Sequence, residues 1–535
     1  MMKFPIGVQS FEQMRNDGYV YVDKTDLVYR LAKGGKIYFL SRPRRFGKSL
    51  LVSTIENYFL GRHELFKGLA IDALEKDWLQ YPVFHIDFNS SNFTEGGVLD
   101  RKIEATVAGW EEVYGRPARD LDVGGRFVEV LRKAHEATGR RCVVLIDEYD
   151  KPLLDVMDTD YTIEVGGQRR PLEDWNREVL RGFYSVFKAA DNDLQFVLLT
   201  GVTKFAQVSV FSGFNQPQDI SMDARYEALC GITQEEMERY FAEPIKEMAV
   251  KFKTDWDGML AMLKRNYDGY HFCEEMTDIY NPFSLLNAFA QLNIRDFWFA
   301  SGSPEYLLRL LAQSDENLDE LTGKYYMPRE FVDYKATVEK PLPMIYQSGY
   351  LTIKDFDKDF GSFLLDFPNK EVQQGFLSLA ASGYFASKKD ADGTVRSMVM
   401  SMRDGNTDRL KDILTAFLAD IPYTARRKEN ERERERYFQY TFYLIFRLLG
   451  TYTVRAEHHS SQGRADCVVE TPKYVYIFEF KLDGTADEAL AQIEERGYAR
   501  PYGADGRQVI RIGASFSSET GTVGDWKTVS DTLGV

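Results

Sequence analysis

Long apolar runs are missing from this 535-residue chain. None approaches the roughly 18 consecutive apolar residues of a membrane-spanning helix, and the opening Met1-Met-Lys-Phe-Pro5 has no signal-peptide core. These absences argue against a membrane protein and lead us to expect a cytoplasmic one. Cysteine is scarce: Cys142, Cys230, Cys273 and Cys467 stand far apart, without the spacing of a metal site or redox pair. Buried free thiols are the expectation. Positive charge is short as well, with 67 Lys and Arg against 82 Asp and Glu, and the net charge of −15 argues against a surface that coats nucleic acid indiscriminately. It leaves room for a local basic groove. What is present, 44% apolar and 28% charged residues, is a globular composition, and the length calls for roughly two to four domains.

One stretch organises the first half. Ile37-Tyr-Phe-Leu40 reads as a buried strand, and after Gly47-Lys48-Ser49 the apolar residues Leu51, Ile55 and Tyr58 follow helical spacing. A strand, a tight turn and a helix around Gly-Lys-Ser are the setting of a P-loop. There, backbone N–H groups and the helix N-terminus hold phosphates, Lys reaches the β/γ-phosphates and Ser ligates Mg²⁺. The first glycine of the motif is missing, its place taken by Arg42. The partner motif is therefore needed, and Cys142-Val-Val-Leu-Ile-Asp-Glu148 supplies it: four apolar residues lead into two carboxylates at the carboxyl end of a buried strand. Further apolar runs at 82–88 and 194–200, separated by helical stretches, complete a parallel α/β pattern. This order matches NTPases with an added strand between the two Walker elements. Asp147 then holds Mg²⁺ through water, Glu148 orients or deprotonates the attacking water, and Thr200 or Thr203 senses the γ-phosphate.

Tyr19-Val-Tyr-Val-Asp-Lys-Thr25, Arg42-Pro-Arg-Arg-Phe-Gly-Lys-Ser49, Leu145-Ile-Asp-Glu-Tyr-Asp150, Leu199-Thr-Gly-Val-Thr-Lys-Phe205 and the run from Phe211 to Ser221 resemble the bacterial AAA-ATPase-like family. Its members commonly carry a C-terminal PD-(D/E)XK nuclease-like domain. The resemblance implies ATP binding and hydrolysis, and within it an Arg-Pro-Arg-Arg start to the P-loop is normal. The ATP-binding set is Arg42, Arg45, Phe46, Gly47, Lys48, Ser49, Leu50, Asp147 and Thr200, with Ser49 and Asp147 at the metal. Arg42, Arg44 and Arg45 are candidates for phosphate contact, and the Tyr19–Thr25 segment for a place beside the base, with an ordinary helix capped by Asp23 or Thr25 as the alternative.

From Ile232 the pattern is mainly helical, opening with a capping box at Thr233 to Glu236 and a second start at Asn281-Pro282. Aromatic clusters at Tyr267–Phe272 and Phe297–Phe299 read as core packing. Between Leu342 and Val372 a helix and then a hairpin suggest a winged helix. Asp355, Asp357, Asp359 and Asp366 on that hairpin favour a relay of nucleotide state over DNA binding. A run of alternating charge at 425–436 reads as a solvated helix and marks the last domain boundary.

The second chemistry lies beyond it. Ala465-Asp-Cys-Val-Val-Glu470, a Thr471-Pro-Lys turn and Tyr474-Val-Tyr-Ile-Phe-Glu-Phe-Lys481 make a hairpin. Counting from its turn sets Asp466 opposite Glu479, about 5 Å apart at Cβ, with Lys481 on the same face as Glu479. Two carboxylates and a lysine are what Mg²⁺-dependent phosphodiester cleavage requires, with Mn²⁺ as an alternative ion. Gln492 and Tyr498 on the next helix resemble a further nuclease-family feature, and Glu435 is an accessory metal-site acid by the same resemblance. His458-His459 reads as a surface loop, because adjacent strand residues face opposite ways.

The expected fold is α/β: a P-loop NTPase of added-strand, AAA/STAND-like type over 1–225, a helical lid over 226–335, a winged-helix-like region over 336–425, and a restriction-endonuclease-like α/β domain over 426–535. The expected function is an ATPase coupled to a Mg²⁺-dependent nuclease acting on DNA or RNA. The alternative is a nucleotide-dependent switch whose last domain binds nucleic acid or a protein partner without cutting. Arg455, Arg464, Arg496 and Arg500 suit either, and the oligomeric state and any protein partner stay open.

Overall fold

Four apolar runs of the first half become neighbouring strands of one sheet in the computed structural model. It describes residues 2–117, 120–204, 217–300, 306–307, 321–332, 340–376, 391–419, 453–460, 463–503 and 506–530. The chain divides into two compact units, Met1–Gln373 and Gln374–Val535.

In the first unit the sheet is parallel and runs β2-β3-β4-β1-β5. Its strands are β1 (Ile37–Ser41), β2 (Val83–Asp87), β3 (Cys142–Asp147), β4 (Leu194–Gly201) and the short β5 (Gln218–Asp219). β3 is buried at every residue, as a central parallel strand must be. The P-loop strand β1 pairs with β4, which pairs in turn with β3, so β4 lies between the two Walker strands. That order brings the carboxyl ends of β1, β3 and β4 together. From β1 the chain turns at Gly47, φ +91°, a left-handed conformation that favours glycine, into α1 (Lys48–Phe59). Leu51, Ile55 and Tyr58 of this helix are buried.

The helices α2 (Gln234–Tyr240), α3 (Ala242–Phe252), α4 (Trp256–Tyr267) and α5 (Pro282–Gln291), the stretch expected to act as a lid, share an apolar core that includes Phe241, Ile245, Met248, Leu263 and Phe289. α2 starts on a reciprocal capping box between Thr233 and Glu236. α5 starts on Asn281, whose side chain accepts from the N–H groups of Phe283 and Ser284. Next comes the helix α6 (Leu342–Gln347) and the hairpin β7 (Thr352–Asp357) and β8 (Ser362–Asp366). β6 (Lys324–Tyr326), which the sequence did not announce, pairs antiparallel with β8 to make a third strand.

The second unit carries a five-stranded sheet in the order β9-β10-β11-β12-β13. The strands are β9 (Thr453–Ser460), β10 (Gly463–Glu470), β11 (Tyr474–Leu482), β12 (Gln508–Phe516) and β13 (Val523–Ser530). β11 and β12 run parallel and are joined through α9 (Ala486–Glu495), while the other pairs are antiparallel. One face of β11 is an aromatic ladder, Tyr474, Tyr476, Phe478 and Phe480, with successive ring centroids 5.8, 6.3 and 6.0 Å apart. Two helices, α7 (Ala391–Arg403) and α8 (Thr407–Ala419), belong to this unit. The Tyr476 hydroxyl donates to Met402 O at 2.6 Å. The opposite face of β11 buries Val475 and Ile477 against Ile493, Tyr498 and Tyr502. His458 and His459 are on β9, opposite Ala465 and Arg464, and not in a surface loop. Pairing with β10 overrides the polar local sequence.

All four cysteines are buried free thiols. No described helix is long and apolar enough to cross a membrane. Glu435 and the charged run at 425–436 lie outside the described residues, as do 205–216 from the quoted motifs.

Candidate functional site

Two constellations stand at strand ends, one in each unit. In the first unit, Lys48 is 4% exposed, and its ammonium donates to Arg42 O at 3.1 Å and Pro43 O at 3.2 Å. Glu148 Oε1 is 3.6 Å away. The loop carbonyls thus hold the cation within ion-pair reach of Glu148. Ser49 is half-buried one residue into α1, and Leu50 follows it at similar exposure. Asp147 ends β3, and the Thr200 hydroxyl donates to its Oδ1. Glu148 takes φ +53°, left-handed backbone that a non-glycine residue rarely adopts. Asp150 is fully buried: its Oδ2 accepts from Val202 N, Thr203 N and Thr203 Oγ1 at 3.0, 2.6 and 2.7 Å. Burial, and then the charge of Glu148, pushes its carboxyl up to about 6. Each candidate sensor hydroxyl is therefore committed to an acid, Thr200 to Asp147 and Thr203 to Asp150.

The loop arginines separate into different environments. Arg42 is 1% exposed, with its guanidinium over the Phe272 ring at 4.0 Å. Its N–H groups donate to Ser41 O and Ser221 O at 3.0 and 2.7 Å, and to Tyr226 O and Glu227 O at 3.4 and 3.3 Å. With those donors spent on carbonyls it acts as a brace across 180 residues of sequence, a use unlike the expected phosphate contact. Arg45 is exposed at φ +70° and lies 4.7 Å over the Phe283 ring of α5. Arg44 is exposed and lies 5.6 Å over the ring of Tyr306, whose hydroxyl is 3.0 Å from Ser348 Oγ. Phe46 is buried edge-on between Tyr270 and Phe272, at 4.8 and 5.7 Å, so its side chain pins the loop to the lid.

The early motif also has a bracing role. Asp23 Oδ1 accepts from Thr25 N and Thr25 Oγ1 at 2.9 and 2.6 Å, while its Oδ2 accepts from Ala70 N at 2.7 Å. Lys24 is paired with Glu236 of the lid at 2.5 Å.

In the second unit the register of β10 and β11 pairs Cys467 with Phe478, so the next step outward sets Asp466 against Glu479. Asp466 Oδ2 accepts from Phe480 N at 2.8 Å. Glu479 is 1% exposed, and burial together with the Asp466 charge pushes its carboxyl up to about 8. Gln492 of α9 joins the set: its amide donates to Glu479 Oε1, and its Oε1 accepts from Lys481 Nζ at 2.6 Å. Lys481 Nζ lies 3.6 Å from Glu479 Oε1. Tyr498 belongs to the apolar cluster behind this row. Arg496 and Arg500 are exposed, while Arg455 and Arg464 are strand residues of β9 and β10.

Gly513 makes the reach of Gln492 attainable. It is paired with Glu479 across β11 and β12. A Cβ there would lie 2.9 Å from Leu490 Cγ and well inside contact distance of Ala486 O, both on α9.

A divalent cation fits these donors. Glu479 Oε2 is buried without a hydrogen-bond partner beside a second carboxylate. Among the described residues no three His, Cys, Asp or Glu cluster as a full ligand cage. Two carboxylates with the remaining positions left to water and substrate oxygens is how Mg²⁺ is commonly held.

Asp147, Glu148, Glu479 and Lys481 were readable because each ends an apolar strand, and Asp466 because the hairpin register could be counted from its turn. Asp150, Gln347 and Gly513 carried no such signal. Asp150 stands inside a quoted motif without an assigned role, and Gln347 reaches Lys204 N across 143 residues at 2.7 Å.

Known families match at both ends of the chain. Residues 5–211 match the family described as predicted AAA-ATPase, and residues 433–526 match the PD-(D/E)XK nuclease superfamily. Across nearly its whole length the chain is similar to a protein of Azotobacter chroococcum mcd 1 described as an uncharacterized protein in the vnfD 5′ region. The two are 34% identical over 533 residues, covering 97% of this chain and 98% of that protein.

Proposed function

This chain belongs to the family of predicted AAA-ATPases that end in a PD-(D/E)XK nuclease-superfamily domain, and we propose that it hydrolyses Mg²⁺-ATP in its first unit and cleaves phosphodiester bonds of nucleic acid in its second. The observation that carries the nuclease half is the row Asp466, Glu479, Gln492 and Lys481, with Glu479 Oε2 buried and unpartnered. The ATPase half rests on Lys48 standing 3.6 Å from Glu148 beneath the helix N-terminus of α1.

In the ATP site, Lys48 moves from loop carbonyls to β/γ-phosphate oxygens, and the free N–H groups at the start of α1 take the rest of the phosphate charge. Ser49 and Asp147 would hold Mg²⁺, with the Thr200 hydroxyl orienting Asp147. Glu148 accepts the proton of the attacking water. In the nuclease site Asp466 and Glu479 would hold Mg²⁺ or Mn²⁺. A bound divalent ion there lowers the pKa of water and offsets charge on the phosphate. Burial and the Asp466 charge push the Glu479 carboxyl up, so a divalent ion would compete with its proton for the site. Gln492 holds Lys481 beside the site, where the ammonium stabilises developing negative charge. ATP turnover in the first unit gates cleavage in the second.

The test is cleavage of labelled single- and double-stranded DNA and RNA with Mg²⁺ or Mn²⁺, with and without ATP, beside ATP hydrolysis. Parent, Lys48→Ala, Glu148→Gln and Lys481→Ala proteins are compared. We expect Lys48→Ala to abolish ATP turnover and Lys481→Ala to abolish cleavage while ATP turnover persists. ATP turnover with no cleavage of any substrate in any nucleotide state would leave the second unit as a binding module.

A further inference from the structure

Glu148 must be aimed from a left-handed turn, φ +53°, that its own side chain does little to hold. Among the described residues its ion-pair partner is Lys48, at 3.6 Å, and Lys48 has phosphates to bind. The next two residues are gripped instead. Tyr149 N donates to Thr200 O at 3.0 Å, and its hydroxyl donates to Thr203 O at 2.7 Å. Asp150 gathers the N–H groups of Val202 and Thr203 and the Thr203 hydroxyl on one carboxylate oxygen. Gly201 is needed for the fit: a Cβ there would stand 2.6 Å from the Tyr149 ring and 2.7 Å from Asp150 Oδ1.

A buried carboxylate is costly unless its charge-assisted hydrogen bonds are well made. Here the three side-chain bonds all fall on Oδ2 and come from the two residues just past β4, while Oδ1 is buried without a partner among the described residues. The same strand end donates the Thr200 hydroxyl to Asp147. Both Walker acids are thus registered to β4, Asp147 directly and Glu148 through Tyr149 and Asp150.

The lock extends outward by one more residue. Lys204 N donates to Gln347 Oε1 at 2.7 Å, and the Gln347 amide donates to Phe331 O and Val332 O at 3.3 and 3.0 Å. Lys204 Nζ pairs with Asp219 of β5 at 2.8 Å. Two residues past the end of α6, Gly349 packs against Pro43 of the P-loop, where a Cβ would stand 2.6 Å from Pro43 Cβ.

We propose that Asp150 is a positioning residue for ATP hydrolysis: it locks the turn that aims Glu148 to the end of β4, and Gln347 carries the lock into α6. The proposal rests on the ATPase reading above. Asp150 touches no nucleotide atom in this scheme, so its loss should slow turnover without loosening ATP.

The experiment measures steady-state ATP hydrolysis, ADP affinity and thermal midpoint for the full-length parent, Asp150→Asn, Tyr149→Phe and Gln347→Ala proteins, with Lys48→Ala as the blank. Asp150→Asn keeps the shape and an acceptor oxygen but removes the charge. We expect its kcat to fall at least tenfold, with KM and ADP affinity within about threefold of the parent. Tyr149→Phe removes only one clamp on the same turn, and Gln347→Ala the outer link; each should lower kcat severalfold with affinity kept. Parental kcat in both Asp150→Asn and Tyr149→Phe overturns the proposal. So does a fall in kcat matched by equal losses of ADP affinity and thermal midpoint, which would mark a purely structural carboxylate. If Asp150→Asn does not fold, Tyr149→Phe decides by the same criteria. A parent without Lys48-dependent turnover fails the ATPase reading itself, and the proposal falls with it.

Discussion

Replacing Gly513 by alanine tests whether the carboxylate row of the second unit depends on how closely α9 approaches β12. The new Cβ would lie 2.9 Å from Leu490 Cγ and 3.1 Å from Leu490 N. Carbon contacts are comfortable at about 3.5–4.0 Å, so α9 has to withdraw by about 1 Å or distort. Such overpacking costs about 1–3 kcal/mol. For a domain of this size that lowers the thermal midpoint by about 2–12 °C. The larger effect is local. The Lys481–Gln492 hydrogen bond is 2.6 Å long, and an outward step of about 1 Å takes it past the usual limit near 3.2 Å. The link from Gln492 to Glu479 goes with it. Losing a partner that orients metal-binding carboxylates typically costs about 10–100-fold in metal affinity or activity. The assays are Mn²⁺ binding by calorimetry and cleavage across a Mg²⁺ titration. Gln492→Ala, which leaves the helix where it is, should reproduce the functional loss with little change in midpoint. A Gly513→Ala protein that binds Mn²⁺ and cleaves like the parent would refute the reasoning.

Other expectations follow from the first unit. Arg42→Lys cannot span the four carbonyls that the guanidinium reaches, and a buried ammonium with fewer bonds should destabilise the fold by about 2–4 kcal/mol. Chemical denaturation reads this, while KM for ATP well below the transition should stay near parental; a tenfold rise in KM at unchanged stability would return Arg42 to the phosphates. Gly349→Ala places a Cβ at φ +87° within 2.7 Å of Pro43 Cγ. Pro43 O holds Lys48, so ATP affinity should fall about tenfold, and unchanged affinity would show that the loop does not lean on α6. Glu371 is buried, its carboxyl pushed by burial up to about 7, and its Oε1 accepts from Trp298 N at 2.7 Å. A raised folded pKa means the native state holds the proton more tightly, so its stability contribution is full below the unfolded value near 4.5 and is lost as pH climbs through 7. Glu371→Gln should therefore match the parent at pH 4 and exceed it by about 3 kcal/mol at pH 8; parallel stability curves for the two proteins would rule this out.

Much of the layout of the candidate sites was legible in the sequence. Apolar strands that end in Asp147-Glu148 and in Glu479-Phe-Lys481 must deliver those side chains to a sheet edge, since a buried strand has nowhere else to put charge. Helical spacing of Leu51, Ile55 and Tyr58 after Gly47 announced the helix that the structure starts at Lys48. The pairing of Asp466 with Glu479 could be counted because a hairpin sets register from its turn. His458 and His459 were misread for the opposite reason: nothing local in that polar stretch reveals the strand partner that orders it. Nor did any pattern announce β6, three residues long and paired to β8.

Sequence by itself determined where along strands and helices the candidate residues stand, because periodicity, turns and strand termini are properties of neighbouring residues. Tertiary structure alone decided what those residues lean on. Arg42 braces carbonyls up to 185 positions away, Asp150 grips a turn 53 positions on, and Gln347 reaches the end of β4 across 143. Such partners are chosen by how sheets and helices stack in space, and a one-dimensional pattern holds no record of that choice.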